Sequence, residues 1–168
     1  NNITYVKTDV KYIVYTYNKT KYYVPTHGRI FKMIDFGRSI FKFQDKLFCS
    51  DSFAPGGDAN SQYNFPPYFN DKKELIEPNP SFDLCRLGCS LFDFVFDDED
   101  DLEDIGTMNR LQKTVLRWCT DDDGKNILYK KNGDERKKKN KIYKKIARLI
   151  HKTTQKNEVK LPMKKKKK

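Results

Sequence analysis

The stretch 81–96, SFDLCRLGCSLFDFVF, constrains the fold more than any other part of this 168-residue chain. On a helical projection its apolar residues cover nearly every side, which is typical of a buried helix. Ser81 is a residue type suited to cap the helix, and Asp83 lies in the first turn, where the helix dipole favours an acid. The sequence therefore predicts a central buried helix over 81–96.

A second constraint is the stretch 29–38, RIFKMIDFGR. Its pattern predicts a strand that ends in a buried position and carries the carboxylate of Asp35 at its tip. Phe36 is suited to anchor in a core, and Gly37 can adopt backbone angles closed to other residues. This arrangement would offer a carboxylate to a metal ion ahead of a movable loop. A strand that leads into a plain surface turn is the alternative interpretation.

The segments on either side of this strand differ in character. Upstream, β-branched residues and tyrosines between Ile3 and Pro25 are interrupted at Asn18-Lys19, which predicts a hairpin, and 25–28 predicts a second turn with His27 on the surface. Downstream, Pro, Gly and Ser interrupt the chain up to residue 80, which predicts a long irregular loop. Aromatic residues in this loop predict that buried rings hold it in place: Phe43, Phe48, Phe53, Tyr63, Phe65, Tyr68 and Phe69.

Two further helices are predicted after the central one. Apolar spacing indicates a helix over 108–119 that Thr107 caps, and another over 139–152 with isoleucines on one face and lysines on the other. The acidic run 97–101 does not have the spacing of a calcium loop and is predicted to be a solvated loop.

The net charge of +11 is unevenly distributed. Residues 136–168 carry 16 Lys or Arg and one acid, so the preceding 135 residues have a net charge of −4. A nucleic-acid function does not follow from the overall charge, because the basic excess belongs to the C-terminal segment. Aromatic residues make up 14% of the chain, which favours a folded protein.

The four cysteines and two histidines lack the spacing of a metal site. Cys85 and Cys89 are one helical turn apart in an apolar run, so buried free thiols are the preferred interpretation. No apolar stretch has the length of a membrane span, and the N-terminus lacks the pattern of a signal peptide. An intracellular, reducing location is therefore predicted.

Three separated motifs occur in a particular order: Asn2-Ile3, then Asp35-Phe36-Gly37, then Asp83 with Leu87-Gly88. This order resembles eukaryotic-type protein kinases, in which the catalytic loop ends in Asn-Ile, a metal-binding D-F-G triplet follows, and D-x-x-x-L-G begins the central helix of the C-terminal lobe. The stretches 24–31 and 54–60 are also similar to serine/threonine kinase-like proteins of large DNA viruses.

The resemblance implies an α+β, protein-kinase-like C-terminal lobe over 1–152, followed by a disordered lysine-rich tail over 153–168. It implies transfer of the ATP γ-phosphoryl group to a protein serine or threonine hydroxyl, with ATP and Mg²⁺ as cofactors. Asp35 and Asn2 would be the catalytic, metal-binding residues, and Phe36 and Gly37 would join them at the cofactor site. Asp83 and Gly88 would be structural. The expected location is the cytoplasm, or host cytoplasm or a virion if the protein is viral.

The departures from the family pattern leave alternatives open. The glycine-rich loop, the Lys–Glu pair and the catalytic-loop Asp would precede Asn1, so we expect the chain to need an N-terminal lobe as partner and to be inactive alone. No A-P-E triplet follows the loop, which leaves a pseudokinase or protein-binding scaffold as a second hypothesis. A third is that the basic segment binds nucleic acid or an anionic membrane surface.

Overall fold

The computed structural model describes residues 2–96, 102, 104–130 and 139–158. Contacts between Cα atoms divide the chain into two compact units, Asn1–Ser50 and Asp51–Lys168. The first unit is made of strands and the second mainly of helices, so the chain is α+β. Among the described residues, no helix is both long enough and apolar enough to cross a bilayer.

The first unit contains three antiparallel two-stranded ribbons. The first strand pairs with the fourth. The second and third strands, which lie between these two in the sequence, pair with each other, so that one hairpin is nested within another. The fifth and sixth strands form a separate hairpin. The strands are β1 (Ile3–Lys7), β2 (Tyr12–Tyr17), β3 (Thr20–Pro25), β4 (Arg29–Met33), β5 (Ile40–Phe43) and β6 (Lys46–Cys49).

Two-residue turns close the β2–β3 and β5–β6 hairpins. Asn18 and Lys19 have φ of 48° and 62°, and Gln44 and Asp45 have φ of 48° and 59°. Two successive left-handed residues match the twist of the flanking strands, which is why such turns connect tight hairpins. The hairpin predicted at Asn18-Lys19 is therefore confirmed. The β5–β6 hairpin corrects the prediction that the chain is irregular directly after Gly37.

The predicted turn at 25–28 is also present, and Thr26 explains its shape. Its backbone carbonyl accepts from Arg29 N at 2.9 Å, and its hydroxyl oxygen accepts from Gly28 N at 3.2 Å. The same hydroxyl donates to the Val10 carbonyl. His27 is exposed, as predicted.

The burial predicted at the end of β4 is wrong. Ile30 is half-buried, but Phe31 and Met33 are 66% and 72% exposed. A two-stranded ribbon has two faces, and no third strand or second layer within this unit packs on either one. Thr26 is the one buried residue among residues 2–50.

The second unit begins with an irregular segment, 51–80, in which some of the predicted aromatic anchors are buried. Phe53 and Phe65 are buried and Phe69 is exposed, as are Phe43 and Phe48 of the first unit. Asn64 organises the segment from inside: its side-chain nitrogen donates to the carbonyls of Asn70, Lys73 and Glu74 at 2.8–3.1 Å, and its oxygen accepts from Asn70 N at 2.8 Å. A backbone bridge between Asn64 and Ile76 closes the loop at its base.

The described part of the second unit contains four helices after this segment: α1 (Ser81–Leu91), α2 (Arg110–Trp118), α3 (Lys139–Leu149) and α4 (Gln155–Glu158). Helix α1 ends five residues earlier than predicted, and a 3-10 turn, Phe92–Phe94, continues it. Ser81 is the first helical residue of α1 and not its cap, because Pro80 occupies the N-cap position. The backbone N of Ser81 donates to Asn79 Oδ1 at 3.0 Å.

The core of the second unit lies where α1, α2 and α3 meet. It is made of buried side chains from all three helices and from the segments that join them: Cys85, Phe92, Phe96, Met108, Val115, Cys119, Ile127, Ile142, Ile146 and Ile150. The prediction of a central buried helix is correct for one side of α1 only, because Asp83 and Ser90 are exposed and Leu84 and Leu87 are half-buried.

Helix α2 begins two residues later than predicted, and Thr107 is not its cap. Asn109 is the N-cap: its side-chain oxygen accepts from Leu111 N at 2.8 Å and Gln112 N at 3.0 Å. Gln112 Oε1 in turn accepts from Asn109 N at 2.9 Å, which completes a capping box.

Helix α3 ends at Leu149, three residues before the predicted end. The predicted disordered tail began at residue 153, but the structure continues in α4, where Glu158 forms a two-point ion pair with Arg117 of α2. The acidic run 97–101, predicted to be a solvated loop, and residues 159–168 of the tail lie outside the described residues.

Candidate functional site

The β1–β4 ribbon brings Asn2 and Asp35 together at one end. Ile3 pairs with Met33 in the ladder, and Ile34 N then donates to the Asn2 carbonyl at 2.9 Å, which extends the pairing by one step. The Asn2 side-chain nitrogen lies 3.5 Å from the Asp35 carbonyl oxygen. The two predicted metal ligands, 33 positions apart in the sequence, are therefore neighbours in the first unit.

Asp35 adopts the left-handed conformation, with φ of 59°. This conformation was predicted for Gly37, whose φ is not in that region. Asp and Asn tolerate it better than most residues because their short polar side chains can hydrogen-bond locally. The chain turns from the end of β4 at the residue that carries the carboxylate.

Gly37 lies beside that carboxylate. A Cβ atom at position 37 would lie 3.4 Å from Asp35 Oδ1, so a side chain there would contact the acid. The following turn is closed by Ser39, whose backbone N and hydroxyl donate to the Phe36 carbonyl at 2.9 and 2.7 Å. Glycine thus keeps one side of the carboxylate clear.

The donor atoms of Asn2 and Asp35 suit a hard divalent cation. A carboxylate and an amide oxygen are the ligand types that Mg²⁺ prefers, and both residues are exposed, so phosphate oxygens and water could complete an octahedral shell. Across the described ranges, no group of three or more His, Cys, Asp or Glu side chains could hold a metal ion. A cation at this position would have Asn2 and Asp35 as its protein ligands.

Phe36 does not anchor in a core as the sequence predicted. Its side chain is 64% exposed, since the ribbon end that carries it has no apolar layer within the first unit.

Asp83 and Gly88, the predicted structural pair, lie on α1 of the second unit. The Asp83 carboxyl is solvent-accessible, but partial burial raises its pKa above the usual value. Its negative charge also acts on Tyr63: burial is the main reason that the pKa of Tyr63 rises to about 12, and Asp83 adds to the increase.

Gly88 lies where α1 meets α2. A Cβ atom added there would lie 2.9 Å from Cys119 Sγ and 3.0 Å from Trp118 Cβ, both distances shorter than normal contacts. Glycine is therefore required for the close approach of the two helices.

The predicted free thiols are confirmed, and a third joins them. Cys85 and Cys89 have their sulfur atoms 3.9 Å apart, and Cys119, the C-cap of α2, interacts with Cys89. Interaction with Cys89 and burial raise the pKa values of Cys85 and Cys119, so both are neutral thiols in the core. The pairing of Cys119 with Cys89 could not be predicted from spacing, because it depends on how α2 packs.

Sequence reasoning also missed a cleft in the second unit. It has a volume of about 910 Å³ and lies between the 53–76 segment and α3. Tyr63, Tyr68 and Phe69 line it together with Lys72, Lys73 and Arg148. Lys144 Nζ donates to Ser61 Oγ at 2.6 Å and so joins α3 to the loop. The density of aromatic residues over 53–69 was the only sequence signal for it.

No family model, curated protein or solved structure matches this chain.

Proposed function

We propose that this chain is the C-terminal-lobe portion of an ATP-dependent serine/threonine protein kinase. The observation that carries the proposal is the adjacency of Asn2 and Asp35 at one end of the β1–β4 ribbon. Both residues carry an oxygen-donor side chain, and the second is followed by Phe-Gly. The order of Asn-Ile, D-F-G and D-x-x-x-L-G along the chain supports the same assignment.

In this proposal Asp35 and Asn2 hold Mg²⁺, which supplies positive charge to the transferred phosphoryl group. Phosphoryl transfer depends on such charge neutralisation and on alignment of the reactants more than on covalent help from the protein. Asp35 has a left-handed backbone, and Gly37 leaves space beside the carboxylate for the cation and its water. Phe36 would seat the loop that follows, and Gly37 would let that loop switch.

The protein substrate would lie along the 53–76 segment. The proposal rests here on position, because that segment follows D-F-G where the resembled family places its activation loop. The cleft beside it offers both aromatic surface and cations from Lys72, Lys73 and Arg148. The four free cysteines are compatible with the reducing intracellular compartment that the proposal requires.

The decisive variant is Asp35→Asn in the complete protein, with Asp45→Asn as its matched control. Both aspartates have φ of 59°, and Asn tolerates that conformation as well as Asp does, so neither change should strain the backbone. Loss of a charge at the reacting centre should lower phosphoryl transfer by about 100-fold or more. The rate is measured with radiolabelled ATP and a protein substrate.

The 168-residue chain allows a direct check of the metal site. Mn²⁺ should broaden the amide NMR signals of Asn2, Asp35 and Gly37 in the parent and in Asp45→Asn, but not in Asp35→Asn. The assignment is wrong if Asp35→Asn and the parent transfer phosphoryl groups at equal rates, or if Mn²⁺ broadens the same signals equally in both.

A pseudokinase is the second candidate, favoured by the lack of an A-P-E triplet. A pseudokinase would show no phosphoryl transfer by the complete protein, whether or not Mn²⁺ binds at Asp35.

A further inference from the structure

One face of the β1–β4 ribbon is exposed, aromatic and basic. Alternate residues of a strand lie on one side, so Ile3, Tyr5 and Lys7 share this face with their ladder partners on β4. These partners are Met33, Phe31 and Arg29, in that order. All six side chains are exposed. We call this surface the β1–β4 aromatic face.

Two rings and a cation are held together at its centre. Tyr5 and Phe31 are directly opposite in the ladder, with ring centroids 6.2 Å apart. The Arg29 guanidinium carbon lies 5.2 Å from the Tyr5 ring centroid, within the range of a cation–π interaction. The Phe31 ring remains 66% exposed and is therefore available to another planar group.

The surroundings of this face are basic. Residues 1–50 contain nine Lys or Arg and three Asp, and residues 10–34 contain five of those bases and no acid. The inserted β2–β3 hairpin continues the pattern, with Lys11, Lys19 and Lys21 beside exposed tyrosines. This charge belongs to the strand unit and is separate from the lysine-rich C-terminal segment.

We propose that the β1–β4 aromatic face binds single-stranded nucleic acid. A polyanion without bases would use the cations and leave the rings in water, and a neutral apolar partner would leave the cations unpaired. A single strand satisfies both, since its phosphates meet Lys7 and Arg29 and an unstacked base lies on the Phe31 ring. A duplex keeps its base faces stacked internally and cannot use the rings.

The test is fluorescence anisotropy of a labelled 12-nucleotide oligothymidylate with the 168-residue chain, with inorganic polyphosphate as competitor. Phe31→Leu removes the ring and keeps an apolar side chain, Phe31→Trp keeps a ring, and Phe94→Leu is the control, because Phe94 is 87% exposed and lies outside this face. Because Phe31→Leu removes the ring on which one base would stack, it should weaken oligothymidylate binding by about fivefold or more. Phe31→Trp and Phe94→Leu should bind as the parent does.

The cations are tested separately. Exchanging both Lys7 and Arg29 for Gln should lower the slope of log affinity against log salt by about 0.7 for each phosphate that the variant no longer neutralises. Phe31→Leu should leave that slope and the polyphosphate affinity unchanged, since polyphosphate has no base.

Three results would overturn the proposal. One is equal oligothymidylate affinity for Phe31→Leu and Phe94→Leu. Another is tighter binding of a duplex than of the single strand at equal phosphate concentration. The last is self-association of the parent without oligonucleotide binding, detected by sedimentation velocity and abolished by Phe31→Leu. This result would assign the face to contact with a second copy of the chain.

Discussion

At the scale of single residues, small or polar side chains decide where the chain can approach itself. Gly88 allows α1 to lie against Cys119 and Trp118 of α2. Asn64 satisfies three loop carbonyls and one loop amide with a single side chain. In the first unit, Asp35 has a left-handed backbone, and its backbone carbonyl lies 3.5 Å from the Asn2 side-chain nitrogen.

Gly88→Ala should destabilise the second unit. The added methyl group must displace Cys119 or the Trp118 side chain, and such overpacking costs about 1–3 kcal/mol, while the better helix propensity of Ala returns up to about 1 kcal/mol. A net loss of roughly 0–3 kcal/mol in unfolding free energy, centred on about 1 kcal/mol, is therefore expected from urea denaturation.

The control is Ser90→Ala, at an exposed position of the same helix, which should change stability by about 0.5 kcal/mol at most. A Gly88→Ala variant more stable than the parent would contradict the close approach of the helices.

At the scale of elements, the ends of the helices are fixed by side chains outside them. Asn109 and Gln112 cap α2 through a capping box, and Asn79 serves the start of α1. The C-terminal end of α3 is held by the loop after α2: Asp122 N donates to the Leu149 carbonyl at 2.8 Å. The Asp122 carboxylate accepts from His151 N at 3.0 Å and contacts His151 Nδ1 at 2.8 Å.

This contact predicts that the stability of the folded protein decreases at acidic pH. Burial alone would raise the pKa of Asp122, but hydrogen bonds from His151 and Lys152 outweigh it and hold the pKa below its usual value of 3.8. A lowered native pKa contributes stability that is present above pH 3.8 and is lost as the pH falls through the native value.

Thermal melts at pH 6 and pH 3 measure this contribution. Asp122→Asn should be less stable than the parent at pH 6 and should lose less on acidification. Asp123→Asn is the control, because that carboxyl group is 76% exposed and comes no closer to the Lys125 ammonium group than 3.9 Å. The same acid dependence in Asp122→Asn and the parent would contradict this role for Asp122.

At the scale of the whole molecule, the two units are built on different principles. The second has a core that α1, α2 and α3 share, whereas the first consists of ribbons whose side chains are largely exposed. Isolated two-stranded hairpins are marginally stable, because they bury little apolar surface for the backbone that they order.

Hydrogen exchange should therefore differ between the units. Amides of α1, α2 and the described part of α3 should exchange slowly, and those of β2, β3, β5 and β6 should exchange at least about 100-fold faster, because local opening there exposes no core. Mass spectrometry of peptides from each unit measures this. Equal protection of the ribbons and the helices would contradict the difference in burial. If oligothymidylate bound the β1–β4 aromatic face, the peptides that cover β1 and β4 should become slower to exchange on its addition.

Much of the local structure could be predicted from the sequence. Asn18-Lys19 between tyrosine-rich runs predicted a hairpin, and the spacing of isoleucines predicted α3, because turn chemistry and helical periodicity act over a few residues. The proximity of Asn2 and Asp35 was an expectation from motif order, and their chemistry remains a proposal. Helix α2 begins two residues later than predicted because Asn109 caps it in place of Thr107, and α1 ends five residues early, where the 3-10 turn Phe92–Phe94 begins.

The sequence by itself determined the hairpin around Asn18-Lys19 and the approximate positions of α1, α2 and α3, since those choices depend on neighbours along the chain, but it did not reveal β5, β6 or α4. Only the tertiary structure decided which apolar residues are buried. Phe31 and Phe96 belong to equally apolar stretches, yet Phe31 is exposed on a ribbon and Phe96 lies in the core. Burial depends on what packs opposite a side chain, and in the second unit that partner comes from helices far apart in the sequence, as with Cys85 of α1 and Ile146 of α3.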